Sequence, residues 1–121
     1  MKKTFYIDPL PKPRMTRADR WKKRPCVLRY WDYKTRLQAQ IDICGIEIKD
    51  VIKVVFCVPM PKSWSKKKAS KMDGKPHQQR PDVDNLMKGL MDSLFQEDSH
   101  IHTIHAKKIW GYKGYMEFDL D

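Results

Sequence analysis

The chain has 121 residues, 40% of them hydrophobic and 33% charged, and its 25 Lys and Arg outnumber 15 Asp and Glu for a formal net charge of +10. That length suits a single domain with one modest core over residues 1–121, and no apolar run approaches the roughly 20 residues of a membrane-spanning helix. Cys26, Cys44 and Cys57 are widely spaced and form no C-x-x-C pair, and Met1 to Asp8 lacks the apolar core of a secretory signal, so free thiols in a soluble, cytoplasmic protein are expected.

Lys3 to Asp8 reads as a first strand, with Phe5 and Ile7 alternating against Thr4 and Tyr6. Pro9, Pro11 and Pro13 then forbid a helix and favour an extended loop that carries Lys12 and Arg14 outward. Thr16 and Asp19 could start a short basic turn containing Arg17 and Arg20. Residues 27–43 predict a helix whose apolar stripe is Val27, Tyr30, Trp31, Leu37, Ile41 and Ile43, stopped by Gly45. From Ile46 to Met60 the pattern is strand-like, and it ends among Pro59 and Pro61.

Residues 61–80 are polar and basic; Ser65 is expected to cap a short helix through Met72, with mobile chain after it. Residues 82–95 give the clearest periodicity, with Val83, Leu86, Met87, Leu90, Met91, Leu94 and Phe95 at amphipathic helical spacing. Ile101 to Trp110 and Tyr115 to Leu120 read as two strands joined in a hairpin by Gly111 to Gly114, with Met116, Phe118 and Leu120 facing inward. Together these elements predict an α+β fold, a small single domain with a mixed β-sheet packed against two main helices.

Charge follows the same order. Residues 1–25 hold nine Lys and Arg against two Asp, and residues 61–80 hold seven against one, whereas residues 81–121 hold four Lys against eight Asp and Glu. Solvated loops would account for either basic arm alone; two arms beside one acidic segment point to a polyanion-binding surface around a cation site.

The acidic motif is Arg80-Pro-Asp-Val-Asp-Asn-Leu-Met-Lys88, at the start of the strongest predicted helix. Asp84 and Lys88 are four apart and share a face opposite the apolar stripe. Asp82, at or before the helix start, is free of helical spacing and can turn back so that both carboxylates meet one Mg²⁺. A phosphate bound there would meet metal, Lys88 and free backbone N–H groups, the parts that phosphodiester hydrolysis needs. Helix capping and an ordinary surface pair would also place acids there. An EF-hand loop is excluded because Met87 holds the position that requires Gly, and Ser93 the position that requires Glu. A third carboxylate is available in Glu97-Asp98; Asp92, roughly 12 Å along the helix from Asp84, is too far for shared ligation without a bend.

The motif Arg80-Pro-Asp-x-Asp-Asn-Leu-x-Lys88, continued by Asp92-x-Leu94 and an acidic pair before a strand, resembles the signature of the RusA Holliday junction resolvases of bacteria and their phages. The likeness extends to the loop near residues 9–14 and to Trp64-Ser-Lys-Lys-Lys68. The resemblance implies a homodimer that cuts two opposing strands of a four-way DNA junction with Mg²⁺, Mn²⁺ substituting, in recombination and repair. By position it assigns Asp82, Asp84 and Asp98 to the metal and Lys88 to catalysis. The turn from Phe95 to Glu97 is shorter than the family pattern, which leaves Glu97 and Asp92 as alternatives to Asp98, and His100 stands where the family carries an amide.

Lys12, Arg14, Lys66, Lys67, Lys68, Lys71, Lys75 and Arg80, together with Lys62, are expected to contact DNA phosphates without reading sequence. Trp21, Trp31 and Trp64 could stack on exposed bases, although Trp31 fits core packing better. His100, His102 and His105 do not share one strand face, which disfavours zinc. Neither a membrane nor an organic cofactor is expected as a partner. The competing reading is a basic protein that binds branched DNA without cutting it.

Overall fold

The computed structural model describes residues 1–14, 16–18 and 24–120. Within them lie strands β1 (Lys2–Phe5), β2 (Val51–Pro59), β3 (Thr103–Gly111) and β4 (Tyr115–Asp119), and helices α1 (Pro25–Cys44), α2 (Lys66–Met72) and α3 (Val83–Leu94). The sheet order is β1-β4-β2-β3. β1 with β4 and β4 with β2 are antiparallel, whereas β2 and β3 run parallel, so the expected mixed sheet of an α+β domain is found.

Pairing differs from the expected hairpin. β3 and β4 reverse direction across Tyr112 to Gly114, but β2 lies between them, paired to β3 from Val51↔Thr103 to Pro59↔Gly111 and to β4 from Val54↔Phe118 to Cys57↔Tyr115. Ile52, Val54, Phe56 and Cys57 of β2 are all buried. A strand this apolar is most stable in the middle of a sheet, where both edges are paired and its apolar face lies on the core. The turn signal marked the reversal, and burial chose the partner.

One sheet face carries Phe5, Ile52, Val54, Phe56, Met116 and Phe118 against Tyr30, Tyr33 and Leu37 of α1 and Leu86, Met87 and Leu90 of α3. The other presents Lys53, Val55, His105, Lys107 and Glu117 to solvent around an open depression. α1 begins with Pro25 in its first turn and ends at Gly45, whose φ of 64° is the left-handed conformation that glycine adopts without steric cost. Its buried stripe is Val27, Tyr30, Tyr33 and Leu37. Trp31 and Ile43 are 44% and 79% exposed, so Tyr33 takes the core place that the sequence assigned to Trp31. Each sits one residue or more off the 27-30-33-37 line, where helical rotation carries a side chain out of the contact.

Smaller corrections concern boundaries. β1 stops at Phe5 and β2 starts at Val51, while Ile46 and Ile48 still pack on the core from the preceding loop. The chain after α2, expected to be mobile, is hydrogen-bonded along β3: Gly74 N–H donates to Trp110 O, Trp110 N–H to Lys75 O and His77 N–H to Lys108 O. It covers part of an otherwise open sheet edge. Ser65 caps α2 as expected, accepting from Lys68 N–H at 3.1 Å. Thr16 to Ala18 lie in a turn region, but Asp19, Arg20 and Trp21 fall outside the described residues.

Candidate active site

Three supports fix α3. On its inner side Leu86, Met87 and Leu90 are buried. Against α1, Tyr30 Oη donates to Gly89 O at 2.9 Å, Ser93 Oγ to the same carbonyl at 2.7 Å, and Gln38 Nε2 to Ser93 O at 2.9 Å. Burial raises the Tyr30 phenol above its ordinary pKa, so it stays a neutral donor. On a third side lies the proline loop, approaching so closely that a Cβ on Gly89 would stand 2.8 Å from Leu10 O and 3.0 Å from Lys12 N.

That approach turns Lys12 inward. Its Nζ donates to Asp92 Oδ2 at 2.6 Å, and this contact raises the lysine pKa. The sequence had Lys12 directed outward; helix α3 instead offers a carboxylate within its reach. Arg14 remains exposed, with its carbonyl accepting from Arg24 Nη2 at 2.8 Å. Lys66, Lys67, Lys68, Lys71, Lys75 and Arg80 are all exposed.

The start of α3 is held from β3. Lys108 Nζ donates to the carbonyls of Gln79 and Pro81, the latter at 2.7 Å, on either side of Arg80 where the acidic motif begins. The Arg80–Pro81 peptide is cis. Sequence reasoning missed Lys108, since nothing in a strand lysine shows that it will reach two carbonyls 27 and 29 residues away. Behind this segment His77 is 3% exposed and packs against Trp110 with the rings tilted and their centres 4.2 Å apart, Trp64 packs tilted on Trp110 at 4.7 Å, and Lys68 Nζ lies 4.4 Å from the Trp64 ring centre. Trp64 thus joins the basic helix to the sheet.

Asp84, Lys88, Asp92 and Asp98 line one open groove of about 520 Å³, with Val83, Met87, Met91, Ile104 and Ala106 as its apolar walls. Asp84 and Lys88 are exposed, and Asp98 is half-buried. Asp82 is the exposed N-cap of α3, makes no capping hydrogen bond through its side chain, and lies outside the groove lining. Among the described residues no three His, Cys, Asp or Glu side chains are gathered closely enough to hold a metal ion as they stand. Glu97 points elsewhere: its Oε1 accepts from Ser99 N–H at 2.9 Å, which lowers its pKa. Asp92 is neutralised by Lys12. His100 packs edge-on against Phe95 at 4.9 Å, and His102 Nδ1 contacts Thr103 Oγ1 at 2.8 Å, so neither enters the groove.

The groove therefore offers two carboxylates and an ammonium along helix α3, with Asp84 in its first turn and apolar walls that concentrate their field. Such a set can bind a hard cation and a phosphodiester side by side. A family model described as Endodeoxyribonuclease RusA matches residues 8–118, which takes in the proline loop, the basic arm, the motif, β2 and β3 in full and β4 as far as Phe118. No curated protein matches the chain. No helix among the described residues is long and apolar enough to cross a membrane.

Proposed function

This chain belongs to the RusA family of endodeoxyribonucleases, and we propose that it is a Mg²⁺-dependent nuclease of the cytoplasm that resolves Holliday junctions by paired, symmetric nicks. The observation that carries this reading is that Asp84, Lys88 and Asp98 line one groove running along helix α3. Asp82, Asp84 and Asp98 would hold the cation. Their oxygen donors suit a hard ion such as Mg²⁺, with Mn²⁺ able to substitute, and the exposed Asp82 side chain is unrestrained by a cap.

When bound, the metal would polarise the phosphoryl oxygens and lower the pKa of a coordinated water. Lys88, one turn beyond Asp84, neutralises the scissile phosphate or the oxygen that leaves it. Backbone N–H groups in the first turn of α3 have no partners within the helix and face the same phosphate. Lys108 holds the carbonyls that lead into this turn, so the motif stays fixed while substrate binds. Lys12 pairs with Asp92, leaving Asp84 and Asp98 as the groove carboxylates without a lysine partner of that kind among the described residues.

The exposed lysines of α2 and its flanks, with Arg14 and Arg80, bring the DNA backbone to the groove through contacts that weaken steeply with salt. One groove cuts one strand, so cutting two opposing strands requires a symmetric homodimer. The test mixes purified protein with a synthetic four-way junction, with and without Mg²⁺, beside Asp84→Asn. Paired nicks that need Mg²⁺ and vanish in the variant are expected. Junction binding without nicks, or undiminished cutting by Asp84→Asn, overturns the assignment.

A further inference from the structure

The pairings Phe5↔Met116, Cys57↔Tyr115 and Pro59↔Gly111 bring the ends of β1, β2 and β3 and the beginning of β4 to one end of the sheet. Tyr6 follows β1 there, and Tyr112 to Gly114 cross from β3 to β4. These residues, with Asp8 and Pro59, line an open groove of about 510 Å³ that the proposed nuclease chemistry does not use. Tyr6 and Tyr112 are 70% and 62% exposed, the most exposed aromatic side chains among the described residues. Two large rings left in water on one groove are unusual for a surface without a partner.

The groove is held in shape. Tyr6 meets Tyr115 edge-on, with ring centres 6.2 Å apart. Cys57 Sγ donates to Lys113 O at 3.3 Å, which ties the crossing turn to β2. Gly114 is buried so closely against Asp8 that any added Cβ would collide with its carboxylate. Its chemistry comprises two aromatic faces, the Lys113 ammonium and the Asp8 carboxylate. A nucleotide matches each part: a base for the rings, base N–H groups for Asp8 and a phosphate for Lys113.

Its position fits as well. α3 starts beside the second half of β3, where Lys108 holds Pro81, and the groove of Asp84 and Asp98 runs back along β3 past Ala106 and Ile104. From β1 to β3 is three strand spacings, roughly 14 Å. We propose that the Tyr6–Tyr112 groove is a stacking subsite for an unpaired base of branched or single-stranded DNA, with Lys113 on its phosphate. The inference rests on the reading of the chain as a DNA junction enzyme and adds how it tells branched DNA from duplex. Bases within a duplex are stacked on one another and cannot enter, whereas a base at a branch point can.

The test measures binding of the full chain, without Mg²⁺ so that no cutting occurs. The probes are a four-way junction with 2-aminopurine at the branch point, a single strand and a linear duplex. Tyr6→Ala and Tyr112→Ala are each expected to weaken junction and single-strand binding roughly tenfold, to leave duplex binding and sedimentation mass unchanged, and to abolish a change in 2-aminopurine fluorescence. Tyr6→Phe and Tyr112→Phe keep the rings and should bind as wild type. Unchanged junction affinity in the alanine variants, equal losses on duplex, or losses as large in the phenylalanine variants overturn the subsite. A fall in sedimentation mass would make the groove an interface between two copies instead. Failure of wild-type protein to nick junctions with Mg²⁺ would refute the nuclease reading separately.

Discussion

Gly89→Ala provides the sharpest test of how the site is braced, because local and tertiary effects have opposite signs. A glycine inside a helix costs about 1 kcal/mol relative to alanine, so propensity alone makes the variant more stable. The added Cβ, however, would stand 2.8 Å from Leu10 O and 3.0 Å from Lys12 N, both backbone atoms that cannot rotate away. Forcing a methyl into such a contact costs about 1–3 kcal/mol. The proline loop must retreat, and with it goes the Lys12–Asp92 pair of 2.6 Å. That pair is partly exposed and contributes about 1 kcal/mol or less. The net expectation is a loss of roughly 1–2 kcal/mol, read as a lower urea midpoint at unchanged slope. Nicking should also fall, since Asp92 is left unneutralised beside Asp84 and Asp98. A Gly89→Ala protein more stable than wild type would refute the close approach of loop and helix.

Lys108→Met removes the donor to the Gln79 and Pro81 carbonyls; junction nicking should drop more than tenfold with affinity changed less than threefold, and Lys108→Arg should restore part of it. Roughly these factors correspond to 1–2 kcal/mol lost in the reacting complex alone. Asp98→Asn should abolish nicking while Glu97→Gln retains it, measured on the same junction at saturating Mg²⁺; the reverse order would move the third ligand to Glu97. Tyr33 is buried, and burial raises its phenol pKa above the ordinary 10.0. Its contribution to stability is therefore fully present below pH 10 and is lost as pH rises from there through the raised folded value. Thermal melts from pH 8 upward should turn down beyond about pH 10 by up to ~1.4 kcal/mol per pH unit, less steeply in Tyr33→Phe. Leu90→Ala, at a fully buried position facing the sheet, should cost about 2–5 kcal/mol in urea unfolding.

Much of the molecule was legible in the chain because local chemistry decides it. The spacing of Leu86, Met87 and Leu90 writes an amphipathic helix in any context, Asp82 marks its start, Gly45 ends α1, and Ser65 caps α2. The motif from Arg80 to Lys88 carried the resemblance to the family, and the family model over residues 8–118 bears that resemblance out. What local pattern could not decide were relations between distant segments. The insertion of β2 between β3 and β4 paired both edges of the most apolar strand, and alternation along β3 and β4 is the same in a hairpin as in two strands flanking a third. Lys12 reads as a DNA contact from its loop, yet Gly89 lets that loop close on α3 and gives the lysine to Asp92. Lys108 reads as a surface strand residue and instead holds the approach to the acidic helix. The sequence by itself determined the family motif and the helix that bears it. Only the tertiary structure decided which charges face the groove, because a long flexible side chain goes to whichever partner the packed backbone brings within about 3 Å.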